Sequence, residues 1–322
     1  MRHVFVFDAK SFTNQQRVMD TILDNIKHFF RTHDSNDFSV HYSHYRRNAM
    51  GIIQEEVENG NPSDVIRVYA VGGEEILFDC LNSVVYFSNT QLASVPYGET
   101  NVFLNIFGES NLKLFRYIPA LVKADVLPTD IIRWGVNYAL NSCCTGVNTA
   151  IQKRIKDIKF NSKNNKLTLF SKLSCSFKLM QAAFDKQIAT REYKISIDDT
   201  DYSGRYSLIH VANGPYFDGR KTGALNAMPD DGLLDVALIK SSGPFKTLRS
   251  IKKFYRGKKP KNCVLIQAKK IIIQSSKKMW LRLDNEYLQD TGISLNVFHH
   301  AISVITVNNL TYQSASNSPR KA

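Results

Sequence analysis

Short apolar runs alternate with amphipathic stretches through the first 128 residues, and no other feature constrains the fold as tightly. His3 to Phe7 (HVFVF), Phe38 to Tyr42, Val65 to Val71 (VIRVYAV) and Leu92 to Val95 read as strands. Between them, Gln15 to Phe30 has helical spacing through Val18, Ile22, Ile26 and Phe29. A second helix runs from about Asn48 to Glu58, and a third passes through Leu77, Leu81 and Val84. Strands that alternate with helices argue for a doubly wound α/β domain, a parallel sheet with helices on both faces. Ligands of such sheets sit beyond the carboxyl ends of the strands.

The character changes after Pro128. Tyr193 to Ile197, Tyr206 to Ala212, Leu233 to Ile239, Cys263 to Ile273, Met279 to Leu283 and Ile293 to Val297 are strand-like. Helical segments near Asn148–Ile158 and Leu169–Phe184 interrupt them. An antiparallel β-sandwich is expected over 129–300, with one more strand from Ile302 to Val307 and a disordered tail from Ser314. A hydrophobic share of 43% supports a sizeable core and excludes a disordered chain. No apolar run approaches the roughly 18 residues of a membrane span, and no signal-peptide pattern follows Met1. The five cysteines form no C-x-x-C pair or Cys/His set, which argues against a disulfide framework or a zinc site. A cytoplasmic setting is expected.

The net charge is +13, and twelve of those charges lie in one window, Ser241 to Trp280, which has twelve basic residues and no acidic one. Phe245, Leu248, Ile251 and Phe254 recur every three residues there, giving an amphipathic helix with basic flanks. A solvated helix packed on a sheet explains this, as does adhesion to an anionic membrane, where each nearby Lys or Arg contributes about 1 kcal/mol. Nucleic acid is a third reading, but no nucleic-acid motif accompanies the patch and no specific one is expected.

Several turns could carry chemistry. Gly72-Gly73 closes a strand and opens a helix, where backbone N–H groups can approach a phosphate, although a glycine pair also serves a plain tight turn. Pro96-Tyr97-Gly98-Glu99-Thr100-Asn101 follows the next strand at the same edge, and two such turns can enclose a nucleotide. Asn213 to Phe217 (NGPYF) and Met228 to Asp235 (MPDDGLLD) follow and precede strands; Asp231 before Gly232 could meet a hard cation or form an ordinary Asp turn. Asp284-Asn285-Glu286 ends another strand, where a carboxylate can be a general base or simply part of a hairpin. Cys143 and Cys144 read as packing residues and His210 as a strand residue. His299-His300 lacks a third ligand and is assigned no metal.

Taken together, these segments resemble the diacylglycerol kinase catalytic family of lipid kinases, over almost the whole chain. The family's N-P-x-S-G turn corresponds to Asp8 to Phe12, its G-G-D-G-T to Gly72-Gly73-Glu74-Glu75-Ile76, and its P-x-G-T-x-N-D to Pro96 to Val102. The second-domain segments at Asn213, Asp230 and Asp284 stand in the family's order and spacing. The resemblance implies transfer of the γ-phosphate of ATP to a lipid alcohol such as diacylglycerol, with the nucleotide between the two domains and the C-terminal strand (301–322) returned to the first. It places Ser11, Gly72, Gly73, Glu75, Gly98, Thr100 and Asn101 on the nucleotide. A structural Mg2+ would be held by the Asp231 carboxylate and the carbonyls of Met228 and Leu233. Glu286 would be the base for the lipid hydroxyl, and Glu74 the acid linked to the magnesium network, with Asp79 the next acid one helical turn on.

The departures from the family pattern all fall on the phosphate side. Glu75 stands where the family has glycine, Ile76 removes a hydroxyl, Glu99 adds an acid, Val102 removes one, and Phe12 replaces a glycine. Two like charges about 4 Å apart cost about 4 kcal/mol at an effective dielectric near 20, which is a factor of roughly several hundred in affinity. Two functional readings therefore stand side by side: a working lipid kinase with an altered nucleotide loop, and a pseudokinase that binds lipid or membrane. Both place the chain peripherally on anionic membranes through 241–280, and a homodimer through strands of the second domain is compatible with either.

Overall fold

A computed structural model gives the structure of the protein and describes residues 1–33, 37–98, 101–153, 191–313 and 315. Of the two helical segments expected between 148 and 184, only the turns at 147–153 lie within the described residues, and most of the tail beyond Ser314 lies outside them.

The amino-terminal part is built as the alternation requires. Strands β1 (Arg2–Asp8), β2 (Phe38–Ser43), β3 (Ile66–Gly72) and β4 (Thr90–Pro96) pair in parallel in the order β4-β3-β1-β2. Helices α1 (Gln16–Thr32), α2 (Asn48–Glu58) and α3 (Glu74–Val84) are the crossovers. β3 is buried at every position, which is why VIRVYAV reads as a continuous run rather than an alternating one. Its one arginine, Arg67, reaches the carbonyls of Leu121 and Val122 and the side chain of Gln91. α1 turns Ile22, Ile26, Phe29 and Phe30 into the core. α3 is buried from Ile76 to Val84, so its sequence shows little amphipathic contrast.

After a short helix α4 (Ile118–Val122), the strands become antiparallel: β5 (Asp125–Trp134), β6 (Asn137–Ala139), β7 (Ser142–Gly146), β8 (Glu192–Ile197), β9 (Thr200–Asp201), β10 (Gly204–Ala212), β11 (Tyr216–Phe217), β12 (Arg220–Lys221) and β13 (Leu234–Lys240). Helix α5 (Pro244–Phe254) precedes β14 (Cys263–Ala268), β15 (Lys270–Leu283) and β16 (Glu286–Thr306). The run Cys263 to Ile273 is thus two strands that break at Lys269, and the run to Leu283 joins the second of them. The register of β15 against β16 shifts between Gln274 and Met279. Before the shift β15 pairs with β8, and after it with β7, while β10 pairs with both β7 and β8. A bulge of this kind bends a strand. Here it lets β15 pass along both sides of one apolar core that includes Ile195, Ile209, Val236, Ile271, Leu281 and Leu295.

α5 packs Thr247, Ile251 and Phe254 against a smaller cluster with Leu208 and Ile239. The buried face therefore follows Thr247-Ile251-Phe254 rather than the expected three-residue repeat, and Phe245 is largely exposed beside the basic residues.

Ile293 to Val297 and Ile302 to Val307, read as separate strands, are one continuous strand apart from a bulge. β16 runs antiparallel to β15, then to β5 from Asn296–Arg133 to Thr306–Asp125, and meets β4 in parallel at Ser303 and Val304. Its end carries Ile302, Val304 and Ile305 into the same core as β1, β3 and β4. Ile305 is fully buried there. Ile305→Ala should lower unfolding free energy by about 2–5 kcal/mol, seen as a lower urea midpoint at unchanged slope.

Candidate active site

β3 and β4 end side by side, and their turns are pressed together. The Tyr97 and Gly98 N–H groups donate to the Gly72 carbonyl at 3.0 and 2.9 Å. A Cβ on Gly98 would lie 2.2 Å from the Gly73 Cα, so this contact admits only glycine. Gly72 has φ +153°, and a Cβ there would meet the Asp8 Cβ at 2.9 Å and the Ile76 side chain at 3.0 Å. Gly73 caps α3 with extended backbone and no side-chain bond to the first turn. These glycines bring three strand ends to one point and leave a helix N-terminus facing them, an arrangement that favours an anion. Ser11 sits at the same edge; its hydroxyl donates to Asp8, whose carboxylate also accepts the Lys10 N–H. Phe12, where the family pattern has glycine, is buried against Phe7 and Tyr97.

Four carboxylates converge beside this turn. Glu74, the first residue of α3, accepts the Val102 N–H at 2.7 Å. Burial, reinforced by the field of Asp284, pushes its pKa up to about 7. Asp79, one turn further along α3, accepts the Arg47 N–H at 2.6 Å, yet burial still raises it to about 6. Asp284 takes three backbone N–H groups, from Leu140, Asn141 and Ser142, at 2.7–2.9 Å. Burial outweighs them and leaves its pKa near 6. Glu286 is buried, accepts Arg46 Nε at 2.8 Å, forms a second contact with the same guanidinium, and has Arg47 at 3.7 Å.

Three arginines offset this charge. Arg46 and Arg47 follow β2 at the carboxyl edge of the parallel sheet, Arg47 in the left-handed region at φ 63°. The Glu286 hydrogen bond raises Arg46 above its ordinary pKa, with help from the charges of Asp79 and Glu75. Arg282 is buried; burial works against its charge, but Asp218 at 2.6 Å more than restores it. Its Nε donates to the Asp284 carbonyl at 2.6 Å, and its plane lies over Phe217. None of these arginines stands out in the sequence reading. The available signal was position: Arg46-Arg47 lies just past a parallel strand, and Arg282 lies on β15 two residues before Asp284 in the turn that follows.

Among the residues expected at the site, Gly72, Gly73, Gly98, Ser11, Glu74 and Asn101 lie around the paired turns, and Glu286 approaches α3 through Arg46. Asn101 is half-buried with an unpartnered side-chain oxygen. Glu75 is exposed at the first turn of α3, beside Arg46. Thr100 and Glu99 lie outside the described residues. The loop 228–233 stands on the far side of the turn after β4: Pro229, Gly214 and Asn141 line a small depression with Val102 and Phe103. Asp231 there is exposed, and its carboxylate accepts the Leu233 N–H at 2.9 Å. Met228 and Leu233 are half-buried in the same loop. Cys143 and Cys144 are packing residues on β7, and His210 is fully buried among Phe217, Phe254 and Tyr255, which lowers its pKa to about 3.

A parallel sheet ends in a glycine turn beneath a helix and is faced by acids from an antiparallel sandwich, the two-part fold of an α/β domain with a carboxyl-terminal β domain. Residues 142–306 match the sequence model of the YegS C-terminal NAD kinase beta sandwich-like domain. Proteins named as lipid kinases in Staphylococcus aureus strains JH9 and Newman are 27% identical over 281 residues, 84% of this chain and 87% of theirs. A solved structure of a Bacillus anthracis (strain Sterne) protein named diacylglycerol kinase superposes with a TM-score of 0.68 at 19% identity, covering 96% of this chain and 98% of that one. The chain belongs to the diacylglycerol kinase-like family of lipid kinases.

The raised carboxylates have a consequence for stability. Glu74 titrates near 4.5 when unfolded and near 7 when folded. Between those values the folded chain holds a proton the unfolded chain has lost, so the group subtracts stability as pH rises, and its whole cost is present above about pH 7. Glu74→Gln should therefore gain on the wild type from pH 4.5 to pH 7, by on the order of 2 kcal/mol once partial solvent screening is allowed for, and show no further change above. Chemical denaturation of both proteins across this range measures it; a difference independent of pH would show that Glu74 has an ordinary pKa.

Proposed function

We propose that the protein is an ATP-dependent lipid kinase that transfers the γ-phosphoryl group to the hydroxyl of a lipid alcohol such as diacylglycerol. The observation that carries this reading is the convergence of the Gly72–Gly73 and Gly98 turns, the first turn of α3 and the Asp284–Glu286 turn on one edge of the parallel sheet. Residues 1–128 with the returning end of the chain would supply the nucleotide side, and 129–300 the lipid side.

The phosphates would lie on the N–H groups of the Gly72–Gly73 turn and the start of α3, with Ser11, Thr100 and Asn101 around them. Gly98 keeps the approach open by having no side chain. Glu286 would accept the proton of the lipid hydroxyl as that oxygen bonds to the γ-phosphorus, and the bond to the β-phosphate oxygen breaks to release ADP. Arg46 has two neighbours to serve. It pairs with Glu286, and it lies between that carboxylate and Glu75, where it can offset the acid that replaces the family's glycine. Glu74 and Asp79, with raised pKa values, add less negative charge near neutral pH than their number implies.

The loop around Asp231 offers only oxygen donors, a carboxylate and the carbonyls of Met228 and Leu233, at a turn where Gly232 has φ 72°. That donor set fits Mg2+, which would brace the loop. The exposed basic face of α5 and the stretch to Lys261 would meet anionic lipid. Among the described residues no helix is long and apolar enough to cross a membrane.

Two observations favour a second reading, a lipid-binding protein without turnover. Glu286 is already engaged by Arg46, and Glu75 projects from the helix start that would face phosphate.

Calorimetry of Mg-ATP with the wild type and a Glu75→Gly/Ile76→Thr variant separates the two. Wild-type binding at micromolar to low-millimolar levels, with phosphorylated lipid formed from diacylglycerol vesicles, is expected; binding by the variant alone would establish the second reading. Glu286→Gln should lower turnover by about 10²–10⁴-fold while leaving the KM for ATP within a few-fold. Sedimentation with anionic vesicles should be strong at low salt, fall as salt screens the charge, and drop in a Lys252→Glu/Lys253→Glu variant; equal binding to neutral vesicles would remove the basic face from the account.

A further inference from the structure

A second cluster of chemically active side chains lies away from the glycine turns, where β5 crosses β16. Asp130 on β5 is fully buried, and its Oδ1 lies 2.7 Å from both His299 Nδ1 and the His300 N–H. Its Oδ2 accepts the Gly232 N–H at 2.7 Å. The two histidine rings stack with centroids 3.7 Å apart and are both exposed on their outer side. Ligand atoms of Asp130, His299 and His300 all fall within 4.8 Å of one another. The pair His299-His300, without a third ligand in the sequence reading, receives one from a strand 169 residues away in the chain.

The backbone is shaped around this cluster. The register of β16 against β5 shifts between Phe298 and Ile302, and His300 at the bulge adopts φ 48°. Bulges re-aim side chains, and a non-glycine residue held in the left-handed region is unfavourable unless its surroundings fix it. A ring nitrogen that holds its proton against a buried carboxylate is in the state from which a metal ion displaces that proton. The surroundings are negative as well: Asp230 and Asp231, exposed in the adjoining loop, lie in the field of Asp130, and the Gly232 Cβ position is 3.2 Å from the His299 ring.

We propose that Asp130, His299 and His300 form a binding site for a divalent transition-metal ion of the zinc class, separate in its donors from the oxygen-only loop at Asp231. Two imidazoles and one carboxylate suit such an ion, whereas Mg2+ takes oxygen. Bonds of about 2.0–2.1 Å around a tetrahedral ion hold ligand atoms about 3.3 Å apart, so the Asp130–His299 pair must open by roughly half an ångström and the exposed His300 ring close by at most about 1.5 Å. The His299 Nδ1 proton leaves to solvent, and water takes the fourth position. The ion would fasten the β16 bulge to β5 and, through Asp130 Oδ2, to the loop at Gly232. It is independent of whether the protein turns over ATP.

Co2+ is the probe, because its absorption reports coordination. Titration of the full chain should saturate at one equivalent with the visible bands of a four-coordinate ion, release protons as measured in buffers of differing ionisation heat, and be reversed by Zn2+ but not by a large excess of Mg2+. A hundredfold excess of Zn2+ over its dissociation constant should raise the melting temperature by several degrees. His299→Ala and His300→Ala, both partly exposed and expected to fold, should each lose the saturable signal, and Asp231→Asn should keep it. Saturable binding that survives the double histidine variant, or none in the wild type, overturns the proposal. If Asp231→Asn abolishes binding as completely as the histidine variants, the ion belongs to the 228–233 loop and the proposal is equally overturned.

Discussion

The antiparallel ladder between β5 and β16 holds the rest of the structure in place. Both strands are long, and each takes part in two cores. Leu127 and Val126 of β5 pack with the parallel sheet, while Ile132 lies in the core of the second part. β16 likewise places Leu295 in one and Ile305 in the other. A chain that folded as two independent sheets would leave the acids of the Asp284–Glu286 turn unrelated to α3. The shared ladder fixes one sheet against the other, and that relation makes Glu74, Asp79, Asp284 and Glu286 neighbours. Thr129, hydrogen-bonded to the Tyr312 hydroxyl, and Asp130, bonded to the bulge and to the loop at Gly232, tie the crossing from both sides.

The second constraint is electrostatic. Four carboxylates gathered in a partly desolvated space could not all be ionised without compensation, because burial alone disfavours each charge. The structure resolves this unevenly. Asp284 receives three backbone N–H groups, and Glu286 receives a guanidinium. Glu74 and Asp79 receive a single N–H each and keep raised pKa values. Of the four, only Glu286 is paired with a guanidinium. Arg282 does similar work from beneath: anchored on Asp218 and stacked on Phe217, it holds the Asp284 carbonyl and thereby the geometry of the turn.

The parts of this arrangement legible in the sequence are those set by local pattern. The βαβ alternation predicts the parallel sheet, and the glycine pairs mark the turns, because only glycine tolerates the 2.2 Å approach at Gly98 and the backbone at Gly72. Other features escaped because they depend on distant partners. The break at Lys269, where the chain leaves β14 and enters β15, and the bulge that joins two strand runs into β16 depend on which strands pair, which the local pattern does not record. Phe245 looked like part of a buried stripe, yet the helix packs through Thr247, a polar residue satisfied by the carbonyl of Ser242. Arg46 and Arg47 are two cations in a basic chain until the fold sets them against Glu286, 240 residues away. His299-His300 lacked a third ligand only as long as Asp130 was remote.

The Arg46–Glu286 pair also bears on how a substrate would enter. Arg46 is more than half exposed and Glu286 is buried, so the pair lies between the surface case, with a median near 0–1 kcal/mol, and the buried case, where loss of one partner costs about 3–5 kcal/mol. A lipid hydroxyl that is to give its proton to Glu286 would have to share a carboxylate oxygen with Arg46, which contacts both. Full release would leave a buried, uncompensated carboxylate at the larger cost, which a neutral alcohol cannot offset. Partial release would be far cheaper: on the proposed reading Arg46, more than half exposed, would turn toward incoming phosphate, and Arg47, already 3.7 Å from the carboxylate, would take its place. Two adjacent arginines, one in the left-handed conformation that turns its backbone N–H to Asp79, make that exchange feasible where a single arginine would not. On the proposed reading, the cation paired with Glu286 is thus placed to meet the negative charge that a nucleotide would bring.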